Sequence, residues 1–208
     1  MIVNERKTKI IVMISGASGT IYPLRLLQVL KNLGVYTEVI YSRGSVKVSE
    51  IECLDERDFI DFLNKYSDKI YSEEMLEAPP SSSSYLADFH GFVVAPTSLN
   101  TLAKVAHGIA DNLITRVAIN ALRIRKRIIF LLRETPLGVI ELRNALNIAK
   151  AGGVILPASP GFYHDPYDIL DLIDFVVGKI LDLLEIRHDL YKRWQGSSIS
   201  RRLCQRVF

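Results

Sequence analysis

Five polar turns carry the side chains able to do chemistry in this chain: Gly16-Ala17-Ser18, Ser42-Arg43, Ser98 with Thr101, Arg133-Glu134, and Tyr163-His164. Hydroxyls, glycines and helix starts dominate them, which suits holding a phosphate through neutral donors. Gly16 and Gly19 let the backbone turn sharply and approach a ligand. Ser18 offers a hydroxyl where the first turn of a helix leaves amides unpaired, at the positive end of the helix dipole. The stretch lacks the full G-x-G-x-x-G spacing, and no Gly-Lys-Ser/Thr follows, so a purely structural strand-to-helix turn is the competing reading. Arg133 adds a cation of fixed fork geometry. Glu134 beside it is an acid/base or the arginine's orienting partner.

Other chemistries find little support. His90, His107, His164 and His188 are scattered without ligand spacing, so no metal site is expected. There is no G-x-S-x-G elbow, and Ser18 has no identifiable base, so it is read as a hydrogen-bonding residue. Cys53 and Cys204 lie far apart and are expected as free thiols. A net charge of +3 is too small to argue for nucleic acid, although basic residues gather at 116–127 and 201–206. No apolar run reaches membrane-spanning length, and residues 1–9 lack the apolar core of a secretory signal, so a cytoplasmic protein is expected.

The elements that must position these turns alternate along the chain. Short apolar runs at 10–14, 35–41, 92–95, 127–132 and 154–156 read as buried strands, the third ended by Pro96. A helix with Ile21, Leu24, Leu27, Leu30 and Leu33 on one face follows the first strand, with Pro23 in its first turn and Gly34 as its stop. Residues 44–75 are polar and partly helical, and 78–84, APPSSSS, reads as a loop. Thr97–Thr101 opens another helix. Thr135 is a good N-cap and Pro136 a good first residue for the next. Asp165-Pro166 starts a long apolar helix through Leu184, whose broad apolar face is compatible with an interface. Strand–helix alternation predicts an α/β fold: a doubly wound, Rossmann-like or flavodoxin-like parallel sheet with helices on both faces. Residues 1–208 are expected as one domain, with a polar N-terminal tail (1–9) and a basic C-terminal tail (about 190–208). Ligands of such sheets bind at the carboxyl ends of the strands.

Several segments together resemble the flavin prenyltransferases, the UbiX-like enzymes. They are ISGASGTIYPLRLL, APPSSSS, APTSLNTLAKVAHGIADNLITRVA, RETPLGVIELRNALNIAKAGGVILPASPGFYHDP and YKRWQG, spanning about residues 10–195. The resemblance implies an enzyme that takes reduced FMN and dimethylallyl phosphate, or in some members the diphosphate. It joins the dimethylallyl group to N5 and C6 of the flavin, without a metal. The prenylated FMN then serves a UbiD-like decarboxylase. Homo-oligomers, commonly dodecamers with sites between subunits, are implied as well. FMN-dependent cysteine decarboxylases and non-catalytic flavin-binding proteins of the same fold are the rival readings.

By position the resemblance assigns Gly16, Ala17, Ser18, Ser42, Ser98, Leu99, Asn100, Thr101 and Arg133 to the flavin. Tyr163, Lys179, Arg116 and Arg123 fall to the prenyl phosphate. Glu52, Glu134 and Trp194 are implied in catalysis, with Glu50 as an alternative to Glu52. Positions 123 and 179 often carry the other cation in relatives, and Leu76 stands where some have tryptophan. Without the resemblance, Arg116 and Arg123 read as a solvated helix face, Tyr163 as packing on Pro160, Trp194 as a tail anchor and Glu134 as a helix cap.

Overall fold

Ile10, Ile11, Val12, Met13 and Ile14 are all fully buried, as a strand covered on both faces requires. In the computed structural model, which describes residues 8–196 and 202–207, they form β1 (Lys9–Ile14). The chain continues through α1 (Ile21–Asn32), β2 (Tyr36–Tyr41), α2 (Arg43–Glu52), α3 (Glu56–Tyr66), β3 (Lys69–Ser72) and α4 (Ser83–Leu86). Then come β4 (Gly91–Thr97), α5 (Leu99–Ala106), α6 (Leu113–Arg123), β5 (Arg127–Leu132), α7 (Val139–Lys150) and β6 (Val154–Pro157). The unit Met1–Pro157 is followed by a second, Ala158–Phe208, which holds α8 (Ile169–Leu183) and α9 (Arg202–Val207). Residues 1–7, 197–201 and 208, parts of the two expected tails, lie outside the described residues.

Six strands form one sheet in the order β3-β2-β1-β4-β5-β6, every pairing parallel. That is the Rossmann order, and the direction of winding reverses between β1 and β4. Alternate residues of a strand face opposite sides. Ile11 and Met13 of β1 therefore join the core that includes Leu102 of α5 and Val117 and Ala121 of α6, while Ile10, Val12 and Ile14 are buried outside it. Helix α3 packs against α1 and α2, and α5 packs against α6 and α7.

The structure departs from the expected elements at five places. Strand β3 has only four residues, one of them buried, which is too little apolar patterning to mark it. Pro96 does not end β4, which runs on to Thr97 through a cis Ala95–Pro96 bond. The missing Pro96 amide is tolerated because the β1 ladder stops at Val94 and the β5 register shifts between Val94 and Thr97. The APPSSSS segment contains a 3-10 turn, Pro79–Ser81, and begins α4. Helix α7 starts at Val139 rather than Pro136, since Glu141 reaches back to accept from the Gly138 amide at 2.8 Å. Helix α8 starts at Ile169, because Asp168 and Asp171 cap each other's amides, and Asp165 sits in the left-handed region at φ 60°. The apolar middle of α8 is buried; the exposed apolar stripe lies on α7 instead, at Val139, Ile140, Leu142 and Leu146.

Candidate functional site

Where β1 ends, Ser15 is buried and must spend its hydroxyl internally. It donates to the Pro96 carbonyl and accepts from the Ser98 amide, both at 2.8 Å. One side chain thus ties the ends of β1 and β4 together across the point where winding reverses. A serine closing an apolar run just before glycine is its only sequence signal.

The next residues fold back against α2. A Cβ on Gly16 would stand 2.9 Å from Cα and 3.0 Å from the carbonyl carbon of Gly44, so two backbones touch where side chains cannot fit. Ser42 caps α2, accepting from the Ser45 amide at 2.9 Å, while its own amide continues the β1 ladder to the Ile14 carbonyl at 3.0 Å. At the far end of α2, Glu52 returns to the same turn. Its Oε2 accepts from the Gly19 amide at 2.8 Å and the Thr20 amide at 3.0 Å.

The N-cap of α1 is Thr20, with no side-chain cap, and the Gly19 and Thr20 amides at this helix start are taken by the protein's own Glu52. Ser18 therefore does not cap the helix; its side chain helps to lower the Glu52 pKa. Desolvation alone would raise the Glu52 pKa, but the bonds from Ser18, Gly19 and Thr20 outweigh it and hold the carboxyl below its ordinary value. Glu52 is the glutamate at the turn; Glu50 lines a separate groove with Tyr41, Arg43 and Glu56.

Arg133 leaves the end of β5 and donates from Nε to the Ser18 carbonyl at 2.9 Å. Since β4 lies between β5 and β1, the side chain spans the mouth of the crevice. Among the described residues no further bond engages its terminal amino groups, which remain available to a ligand. Ser98 caps α5, accepting from the Thr101 amide at 3.1 Å and donating to the Thr101 hydroxyl at 2.9 Å. Leu99 packs on the core and Asn100 is exposed. Glu134 is exposed, and its Oε1 accepts from the Thr135 amide at 3.1 Å rather than capping α7.

The structure separates the two arginines of α6. Arg116 donates to the Ser81 carbonyl at 3.3 Å, beside Asn120 at 3.0 Å, and so pins the 79–81 turn to the helix. The Asn112 cap of the same helix bonds Glu73, just past the end of β3, at 2.7 Å. Arg123 lies in the last turn. It lines a basic depression of about 910 Å³ with His90, Arg127 and Lys150, at the opposite ends of the strands from Arg133.

In the second unit, Tyr163 is half-exposed and meets Phe175 and Trp194 edge-on, with ring centroids 5.6 and 5.8 Å apart. Trp194 is exposed. The Lys179 ammonium lies 5.3 Å from the Phe175 ring centroid and 4.9 Å from that of Tyr191. Asp182 accepts from Tyr191, from His188 at 3.0 Å and from Arg193 at 2.5 Å. Burial would raise its pKa, yet these bonds bring it down to about 2. A carboxyl depressed on folding adds stability above its ordinary pKa and loses it as pH falls through the folded value. The cluster should therefore weaken between about pH 4 and pH 2. Fluorescence of Trp194, the only tryptophan, should report a transition in that window that Asp182→Asn removes.

Among the described residues, no three His, Cys, Asp or Glu side chains gather to hold a metal ion, and no helix is long and apolar enough to cross a membrane.

Comparison with known proteins adds a family to this geometry. The flavoprotein family pattern matches residues 2–189. Flavin prenyltransferase UbiX of Saccharolobus solfataricus is 49% identical over 192 residues, covering 92% of this chain and 94% of that protein. The crystal structure of AnUbiX (PadA1) in complex with FMN and dimethylallyl pyrophosphate superposes with a TM-score of 0.87 at 34% identity, covering 93% of this chain and all (100%) of that one. A dodecameric FMN-dependent UbiX-like decarboxylase from Escherichia coli O157:H7 gives 0.85 at 31% identity, over 91% of this chain and 100% of that one.

Proposed function

Because the chain belongs to the flavoprotein family and, within it, to the flavin prenyltransferases, we propose that it transfers a dimethylallyl group to reduced FMN, giving prenylated FMN. The observation that carries this reading is the kinship with a protein crystallised with FMN and dimethylallyl pyrophosphate. The residues at the crevice fit such a guest. Hydroxyls of Ser42, Ser98 and Thr101 stand at strand ends, and Arg133 keeps N–H groups in reserve beside the Gly16-Ala17-Ser18 turn. Reduced FMN, the acceptor substrate, supplies N5 as the nucleophile and C6 as the carbon that closes the new ring.

The remaining work falls to side chains. Gly16, Ala17, Ser18, Ser42, Ser98–Thr101 and Arg133 are assigned to hold the flavin still. Breaking the allylic C–O bond releases a phosphate, and Tyr163, Lys179, Arg116 and Arg123 are assigned to take its charge. Arg123 stands away from the Arg133 end of its own sheet, so we assign it to the site of a neighbouring copy in a homo-oligomer, a dodecamer by analogy. Trp194 offers an aromatic face to the allylic cation. Glu134 and Glu52 are assigned to move protons.

Glu52→Gln keeps an acceptor for Gly19 and Thr20 but loses the base. Prenylation should slow by about tenfold or more while FMN affinity stays within about twofold. Single-turnover assays and flavin titration check this, and prenylation at the wild-type rate removes Glu52 from catalysis.

The transfer itself is tested by supplying reduced FMN with dimethylallyl phosphate or diphosphate, with and without a chelator. Turnover that survives chelation is expected, since the leaving charge is assigned to arginine and lysine. We further propose a cytoplasmic enzyme whose product serves a UbiD-like decarboxylase.

A further inference from the structure

Lysine is a compact point charge on a flexible stem, so it binds a phosphate well only if something holds it in place. Lys179 is held from three sides. The rings of Phe175 and Tyr191 lie within cation–π range. The Tyr191 hydroxyl donates to Asp182, one helical turn from Lys179 along α8. Asp182 itself stands 3.8 Å from the ammonium. The ammonium thus sits on two aromatic rings beside a carboxylate that the Tyr191 hydroxyl also binds.

The tail is fitted to this arrangement. A Cβ on Gly178 would stand 2.6 Å from two ring carbons of Tyr191, so the ring lies flush on the helix only because residue 178 has no side chain. His188 and Arg193 bind the same carboxylate and fix it from the tail side. Two permanent cations, Lys179 and Arg193, share one carboxylate, which leaves the cluster positive, as a phosphate requires. Phe175 also touches Tyr163, so the two assigned phosphate ligands of this unit rest on a common ring.

We propose that Asp182 and Tyr191 are positioning residues: they hold the Lys179 ammonium where it meets the phosphate of the prenyl donor. This rests on the reading of Lys179 as a prenyl-phosphate ligand. Neither residue touches the reacting atoms; both act through Lys179.

The test is a double-mutant cycle read as kcat and KM for dimethylallyl phosphate. Tyr191→Phe keeps the ring and its packing on Gly178 and removes only the hydroxyl. Tyr191→Phe and Asp182→Asn should each raise KM about tenfold, with FMN affinity within about twofold of wild type. In a Lys179→Ala background, each should add less than about twofold, because the group they position is gone. Gly178→Ala, which displaces the ring, should reproduce the Tyr191→Phe effect. Equal losses with and without Lys179 would mean a structural latch and overturn the proposal. If Lys179→Ala raises KM while both other variants keep the wild-type value, the positioning role fails alone. If Lys179→Ala leaves KM unchanged, the reading of Lys179 as a phosphate ligand fails, and the proposal with it.

Discussion

Arg133→Ala should lower FMN affinity by about a hundredfold and take prenylation to background. Two losses combine in that variant. A charge-assisted hydrogen bond to a ligand contributes about 1.5–3 kcal/mol, which is one to two orders of magnitude in affinity. The Nε bond to the Ser18 carbonyl also disappears, so the turn after β1 loses its link to the end of β5. Arg133→Lys separates the two effects. It restores a charge but not the fork, so it cannot hold Ser18 and the ligand together. Recovery of less than about tenfold is expected. Flavin fluorescence titration measures both variants, and circular dichroism melting checks that the sheet survives. Affinity unchanged in Arg133→Ala would remove Arg133 from the flavin site.

Gly16→Ala should cost about 2–3 kcal/mol of stability and abolish FMN binding. The new methyl meets backbone atoms of Gly44 at 2.9, 3.0 and 3.3 Å, and backbone cannot rotate away as a side chain can. Either α2 or the turn must shift, and α2 carries both the Ser42 cap and Glu52. Gly44→Ala should be milder, since its nearest contact is Gly16 Cα at 3.1 Å and the next are at 3.6 Å. Gly34→Ala gives the control. It meets nothing within 4 Å but must hold φ at 70°, so it should cost about 1 kcal/mol without touching FMN affinity. Thermal melts in the order Gly16→Ala, Gly44→Ala, Gly34→Ala, from lowest to highest, are expected. A Gly16→Ala protein that melts with wild type would show that the turn and α2 do not press together.

What the sequence reveals follows from where the physics is local. Residues 127–132 match β5 residue for residue, because a short continuous apolar run, Ile128–Leu132, between polar flanks has few other uses. The Ser98 cap is legible for the same reason: Ser98 and Thr101 act within one helical turn. Competing local signals mislead instead. Thr135-Pro136 and Asp165-Pro166 both look like helix starts, yet the helices begin after Gly138, whose amide Glu141 accepts, and after Asp168, which accepts from the Asp171 amide. Long-range relations are the part no local pattern carries. Glu52 reaches a turn more than thirty residues away, and only the packing of α2 brings it there. Arg116 and Arg123 share a helical face by spacing, but two turns of helix place them about 10 Å apart along it, which is enough to put Arg123 at the wrong end of its own sheet.

The most direct test of the account is the mass of the flavin after anaerobic incubation of the protein with reduced FMN and dimethylallyl phosphate or diphosphate. The account predicts a flavin heavier than FMN by one C5H8 unit, formed only when protein and prenyl donor are both present. Recovery of unmodified FMN with both donors, from protein that binds FMN, would contradict it.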